Sequence, residues 1–150
     1  MKHLFEPAVV AETRQRLARL RPDSPRQWGK MTPAQMLAHC TIAVDMALGR
    51  STPPRIFLGR IFGPFAKRSM LVRGEPMRRN SPTAREMKIV DDRDFDAESR
   101  RLMGAIDEFA AGGPDKCTTH PHLFFGPLTP IEWATLMYQH LDHHFRQFGV

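Results

Sequence analysis

Apolar positions along this chain recur at intervals of three and four, in blocks separated by stretches rich in proline and glycine. That period is the helical one. The first block predicts a helix from Pro7 to about Leu20, with Val9, Val10, Leu17 and Leu20 on its apolar side and Arg14, Arg16 and Arg19 on its wet side. Arg21-Pro22-Asp23-Ser24-Pro25 ends it. Thr32-Pro33-Ala34-Gln35 announces the second helix: a capping hydroxyl, a proline at the first helical position and a glutamine placed to close a capping box. This helix runs to about Leu48, with Gly49 as its stop. Met36, His39, Ala43 and Met46 share one stripe of it, so His39 points inward with the core.

The middle of the chain is harder to read. Ile56, Phe57, Ile61, Phe62 and Phe65 suggest a short apolar helix broken by Gly63-Pro64. Beyond Gly74 a long connection follows, of the kind that crosses a bundle from end to end or carries function. A third long helix fits Phe95 to Ala111, with Leu102, Ile106, Phe109 and Ala110 inward and Gly112-Gly113-Pro114 as its stop. The last helix repeats the earlier start signal in Thr129-Pro130-Ile131-Glu132 and runs to about Phe148. Trp133, Met137, His140, His144 and Phe148 recur along one of its sides. No segment alternates at period two, so the expected class is all-α with little or no sheet.

Composition adds bounds. A chain of 150 residues fits one domain spanning residues 1–150 and suffices to bury a substantial core. Its 41% apolar and 25% charged residues are those of a soluble globular protein. Glu6 and Pro7 interrupt the N-terminus where a signal peptide needs an apolar run, and no stretch approaches the roughly 18 apolar residues of a membrane span. The expectation is a cytoplasmic protein with no membrane partner. Cys40 and Cys117 match no zinc-knuckle spacing, and Cys40, next to His39, reads as a small buried thiol. From Arg50 to Arg79 eight basic residues stand against one acid, Glu75. Such a run suits an anionic ligand, nucleic acid or a membrane surface, or is simply a solvated face.

The chemistry lies in the histidines. His140 and His144 are four apart, so on a helix they differ by about 40° in direction and about 6 Å in rise, and both rings can reach one ion. The third ligand must come from elsewhere, and the inward-facing His39 is the candidate. Neutral imidazole suits zinc, nickel, copper or iron, and three protein ligands leave one position open for water or substrate. The same residues also suit hydrogen-bonded core histidines. His143 is a poorer partner for the site, because adjacent helical residues diverge by about 100°. His120 and His122 read as loop histidines with a turn or surface role. A zincin is excluded: it needs a glutamate directly after the first histidine, and residue 141 is Leu while residue 142 is Asp.

Trp28-Gly29-Lys30-Met31 followed by Gln35-Met36-Leu37-Ala38-His39 resembles the second-helix pattern of DinB-like proteins. His140-Leu141-Asp142-His143-His144-Phe145-Arg146-Gln147 resembles their late histidine pair followed by Arg and Gln. The tail from His120-Pro121 through Phe125-Gly126-Pro127-Leu128-Thr129 and Glu132-Trp133 to Gln147-Phe148 is similar to an uncharacterised bacterial branch of that superfamily. The resemblance implies an up-down-down-up four-helix bundle with a long crossover and short extra helices. It implies a three-His centre at His39, His140 and His144 holding a divalent metal ion, zinc or nickel. Characterised members of the superfamily include thiol-dependent S-transferases and a maleylpyruvate isomerase, in which the metal activates a low-molecular-weight thiol as thiolate. Phe145 and the His-Pro loop depart from that pattern, which leaves the substrate open.

Two functions follow as expectations. One is a metal-dependent transferase or small-molecule hydrolase, with Trp28, Gln35, Trp133 and Arg146 as substrate-binding residues and a low-molecular-weight thiol among its possible partners. The other is a non-catalytic, stress-related module binding anions or nucleic acid through the basic segment. A single Tyr, with no aromatics interleaved among the arginines, argues against nucleic acid. The apolar run from Ile56 to Phe65 is a candidate homodimer patch.

Overall fold

A computed structural model describes residues 1–150. The chain is all-helical: α1 (Pro7–Arg19), α2 (Pro33–Ala47), α3 (Phe57–Lys67), α4 (Phe95–Gly112) and α5 (Pro130–Gln147). It has no strand, only an isolated bridge between His122 and Gly126. No helix is long and apolar enough to cross a membrane.

The helix starts are chemical. Thr32 and Thr129 each accept a hydrogen bond from the backbone N–H three residues on, while Gln35 and Glu132 accept from the threonines' own N–H groups. Each closed box satisfies two otherwise orphaned donors, and Pro33 and Pro130 supply first positions that need no donor. Asp94 caps α4 by accepting from Ala97 N at 2.6 Å.

α1, α2, α4 and α5 supply most of one continuous core of 24 buried apolar residues, with Leu4 and Leu123 joining from loops. α2 lies against both α4 and α5, and α1 against the same two. α2 is buried on nearly all sides, not along one stripe: twelve of its fifteen residues are buried. A helix apolar all round is a central helix. Leu37, Cys40, Val44 and Ala47, off the predicted stripe, are as deeply buried as Met36 and Ala43.

α3 departs from expectation. The predicted break at Gly63-Pro64 is absent; the helix runs through Pro64 and continues into a π-helical turn, Arg68–Val72. Pro64 removes the donor that would pair with the Arg60 carbonyl, yet the helix continues through it. The connection from residue 73 to 94 holds a 3₁₀ turn at Arg85–Met87 and returns the chain over α2 and α5.

Candidate metal centre

His39 reaches the interior from α2, and His140 and His144 from successive turns of α5. All three are buried. Their ring centroids are 4.9 Å apart for His39–His140, 4.8 Å for His39–His144 and 4.7 Å for His140–His144. One ring nitrogen from each lies within 4.8 Å of the other two. The structure therefore brings together the three histidines singled out by helical spacing.

Neighbouring groups fix the tautomers. His39 Nδ1 lies 2.9 Å from the Met87 carbonyl, which can only accept, so Nδ1 carries the proton and Nε2 a lone pair. Gln147 Nε2 donates to the Trp28 carbonyl at 2.8 Å, which turns Gln147 Oε1 toward His144 Nδ1, also at 2.8 Å. His144 thus donates from Nδ1 and keeps a lone pair on Nε2. Gly29 makes room for this amide: its φ is +78°, and a Cβ there would stand 2.5 Å from Gln147 Nε2.

Burial is the leading cause of every pKa shift here. It lowers His39, against an opposing pull from the Met87 carbonyl. It lowers His140 well below the usual imidazole range, helped by His144 and His39. It takes His144 to about 3. All three rings are neutral at neutral pH, the state a metal ligand needs.

The donor set fits a cation. His140 Nε2 sits 3.0 Å from His39 Nε2, and His140 Nδ1 is buried with no partner. If His140 protonates Nδ1, two Nε2 lone pairs face each other; if it protonates Nε2, a buried lone pair is orphaned on Nδ1. Neither tautomer satisfies the site from within the protein. A cation between the rings would remove the clash of facing Nε2 lone pairs by taking them as ligands, and would leave the His140 Nδ1–H as the one buried ring nitrogen of the three without a partner. The 3.0 Å separation is close to the roughly 3.3 Å between two imidazole nitrogens sharing one tetrahedral zinc.

A cavity of about 400 Å³ lies beside the cluster, lined by Trp28, Arg79, Tyr138, Asp142, His143 and Arg146 among others. The His143 ring, which lines the cavity, lies 5.1 Å from that of His144. The Arg79 guanidinium lies 4.2 Å over the Trp28 ring, and Trp28 is 5.5 Å from His143. Burial lowers the His143 pKa, with Arg146 next in effect.

Of the four expected substrate-binding residues, Trp28 and Arg146 line this cavity. Gln35 does not: its amide closes the α2 cap and donates to the Asp91 carbonyl. Trp133 does not either: it is 1% exposed in the core beside His122. His122 has a turn role, its Nδ1 accepting from Phe124 N and Phe125 N, and burial takes it to about 4. His120 Nε2 lies 3.3 Å from the Pro53 carbonyl, away from the cluster. Cys40 is fully buried with its thiol pKa pushed up, and Cys117 is pushed up to about 11, both by burial. Neither is an activated thiol.

Sequence reasoning passed over Gln147 as a site residue, although its position three after His144 puts both on one helix face. It also missed Arg79 and the Met87 carbonyl, which lie in the aperiodic connection.

The fold and cluster define a helical protein with a buried three-histidine centre. The chain belongs to DUF1569, a family described as protein of unknown function, whose model matches residues 7–149. No curated protein and no solved structure matches it.

Proposed function

We propose that this chain is a metal-dependent enzyme of the DinB-like superfamily, built on its four-helix bundle as one cytoplasmic domain, and that His39, His140 and His144 hold a divalent ion, zinc or nickel. One observation carries the reading: three buried, neutral imidazoles from two helices converge, two with Nδ1 committed elsewhere and the third with an orphaned nitrogen. Bound there, such an ion supplies Lewis acidity and an open coordination position.

The protein's own groups do the rest. Met87 and Gln147 hold the His39 and His144 rings in the tautomer that presents Nε2, the usual outer support of a metal site. Gln147 also ties His144 to the Trp28 backbone, so the cluster and the neighbouring cavity share a wall. That cavity takes a small substrate, with Tyr138 in its wall for an apolar body and Arg79, stacked on Trp28, as the cation for an acidic group, while Arg146 is paired with Asp142. No carboxylate belongs to the histidine cluster, so thiol transfer or hydrolysis of a small molecule, in which the nucleophile is activated at the ion, suits the site best. The low-molecular-weight thiol of such a transfer is the partner we assign.

The test is elemental analysis of protein purified without an affinity tag, together with His144→Ala. The reading requires close to one equivalent of a transition metal in the parent and at least a tenfold loss of affinity in the variant. Protein that neither carries such a metal nor takes up zinc or nickel disposes of it.

A further inference from the structure

α3 is turned the opposite way from an ordinary amphipathic helix. Its inward face is glycine: a Cβ on Gly59 would stand 2.7 Å from the Phe124 Cα and carbonyl oxygen, and one on Gly63 would fall inside that same oxygen. Both glycines are buried, so the α3 backbone rests directly on the main chain of the loop bearing Phe124. The large side chains consequently point outward. Phe57 is 74% exposed, Leu58 59%, Ile61 47%, Phe62 54% and Phe65 75%, and Val72 in the π turn is 66% exposed. Phe57, Ile61 and Phe65 follow one another at intervals of four with Leu58 and Phe62 alongside, so they form one continuous stripe. Scattered exposed apolar residues need no explanation, but three phenylalanines with Leu and Ile on one face of one helix do.

Charge indicates what covers the stripe. Between Asp45 and Glu75 the sequence has no acidic residue. Lys67 is occupied by Glu132 and the Pro127 carbonyl. Arg60 and Arg68 are exposed on α3 and its continuation and enter no ion pair. A second copy docking isologously through this face would bring the same unpaired arginines together, while Glu132, the carboxylate seated on α3, is already held by Lys67. Nucleic acid would use the arginines and leave the phenylalanines in water. An anionic lipid surface uses both, with the apolar stripe in the acyl boundary and the cations among the headgroups.

We infer that α3 is an interfacial helix by which the protein docks on anionic membranes without spanning them. This replaces the sequence-based expectation of no membrane partner, which addressed spanning segments alone. The inference is independent of the metal centre, because no residue of the stripe belongs to the histidine cluster or the cavity beside it.

The experiment is sedimentation of the full chain with vesicles of phosphatidylcholine alone and of phosphatidylcholine mixed equally with phosphatidylglycerol. Binding to the anionic vesicles only, weakening as salt rises, is expected. Phe57→Ser/Phe65→Ser should lower the partition coefficient at least about tenfold, since burying even one phenylalanine is worth that much. Arg60→Ser/Arg68→Ser should lower it about fivefold per arginine. Both variants change exposed side chains, and an unchanged thermal melt verifies their folding. No sedimentation of the parent at low salt overturns the inference, as does retention by the phenylalanine variant. A salt-insensitive dimer that Phe57→Ser/Phe65→Ser converts to monomer assigns the stripe to a second copy and overturns it equally.

Discussion

Gln147 offers the sharpest probe of the histidine cluster because it supports a ring without touching the putting-together point of the three Nε2 atoms. It is 3% exposed and makes two side-chain hydrogen bonds of 2.8 Å, one to His144 Nδ1 and one to the Trp28 carbonyl. Gln147→Leu keeps the volume and removes both. The His144 N–H is then buried without an acceptor, at a cost of about 1–3 kcal/mol in the metal-free protein. The Trp28 carbonyl loses its part-buried donor as well, which adds to that figure. The His144 ring also becomes free to protonate Nε2, the nitrogen that the cluster requires bare. Loss of such outer support weakens metal sites by about 10–100-fold, or roughly 1.4–2.7 kcal/mol. Gln147→Glu is the contrasting variant: it keeps an acceptor for His144 but replaces the donor to Trp28 with a buried carboxylate oxygen facing that carbonyl, so its melt should fall as well. Zinc affinity measured by competition with a chromophoric chelator should fall by that factor in the leucine variant. It should stay within about threefold of the parent in the glutamate variant. Unchanged zinc affinity in Gln147→Leu, alongside a lowered melt, would refute the tautomer argument and reduce Gln147 to packing.

Three further outcomes are expected. Gly63→Ala and Gly104→Ala make the same change in helix interiors with opposite results: Gly104 faces open space and should gain about 0.5–1 kcal/mol, while Gly63 should lose about 1–3 kcal/mol against the Phe124 backbone. Equal stabilisation of both in urea titrations would show that α3 is not seated on that loop. His122, held at about 4 against an unfolded value of 6.5, stays neutral in the folded chain while the unfolded chain takes up a proton. Its contribution is therefore complete above pH 6.5 and is lost as the pH falls toward 4, by about 3 kcal/mol in all. His122→Asn, whose carbonyl can accept the same two backbone N–H groups, should flatten that part of the stability–pH curve, and an unaltered curve contradicts the assignment. His140→Leu removes the orphaned Nδ1 and should leave the metal-free protein at least as stable as the parent, while zinc raises the melting temperature of the parent alone. A zinc-dependent rise in the variant excludes His140 as a ligand.

The parts of this molecule that were legible in the sequence are those written locally. Thr32-Pro33 and Thr129-Pro130 each combine a cap and a donor-free first position within four residues, and both helices begin where those signals stand. The spacing of His140 and His144 and the inward stripe of α2 carried the cluster, because two turns of one helix and one of another suffice to build it. The orientation of α3 was not legible. Its period was clear, but a period does not say which face turns inward, and the contact of Gly59 and Gly63 with Phe124 is between residues about sixty apart. The role of residues 73–94 was hidden for a related reason. That segment meets the cluster through a backbone carbonyl, Met87, and a carbonyl is common to every residue type. Pro64 misled because proline's lost hydrogen bond and ring clash are a local cost and not a prohibition, and the seating of α3 on the Phe124 loop is a tertiary contact that local sequence does not display.

The cluster is poor core, and its donor set is compatible with a metal site. Leu141 and Phe145, on the same helix, show what a purely structural position holds. Three buried imidazoles at adjoining positions fill similar space, yet each brings two ring nitrogens that need partners, and burial has already shifted every one of them away from charge. Met87 and Gln147 satisfy two of the six nitrogens, His39 Nε2 and His140 Nε2 face each other at 3.0 Å, and His140 Nδ1 has no partner. A fold maintained for stability alone would lose such a group readily, since one leucine removes an orphan worth about 1–3 kcal/mol. The supporting bonds point the same way: both secured nitrogens are Nδ1, which leaves Nε2 of His39 and His144 bare and turned toward His140. Lone pairs on His39 and His144, with a third imidazole beside them, make a donor set that suits a cation.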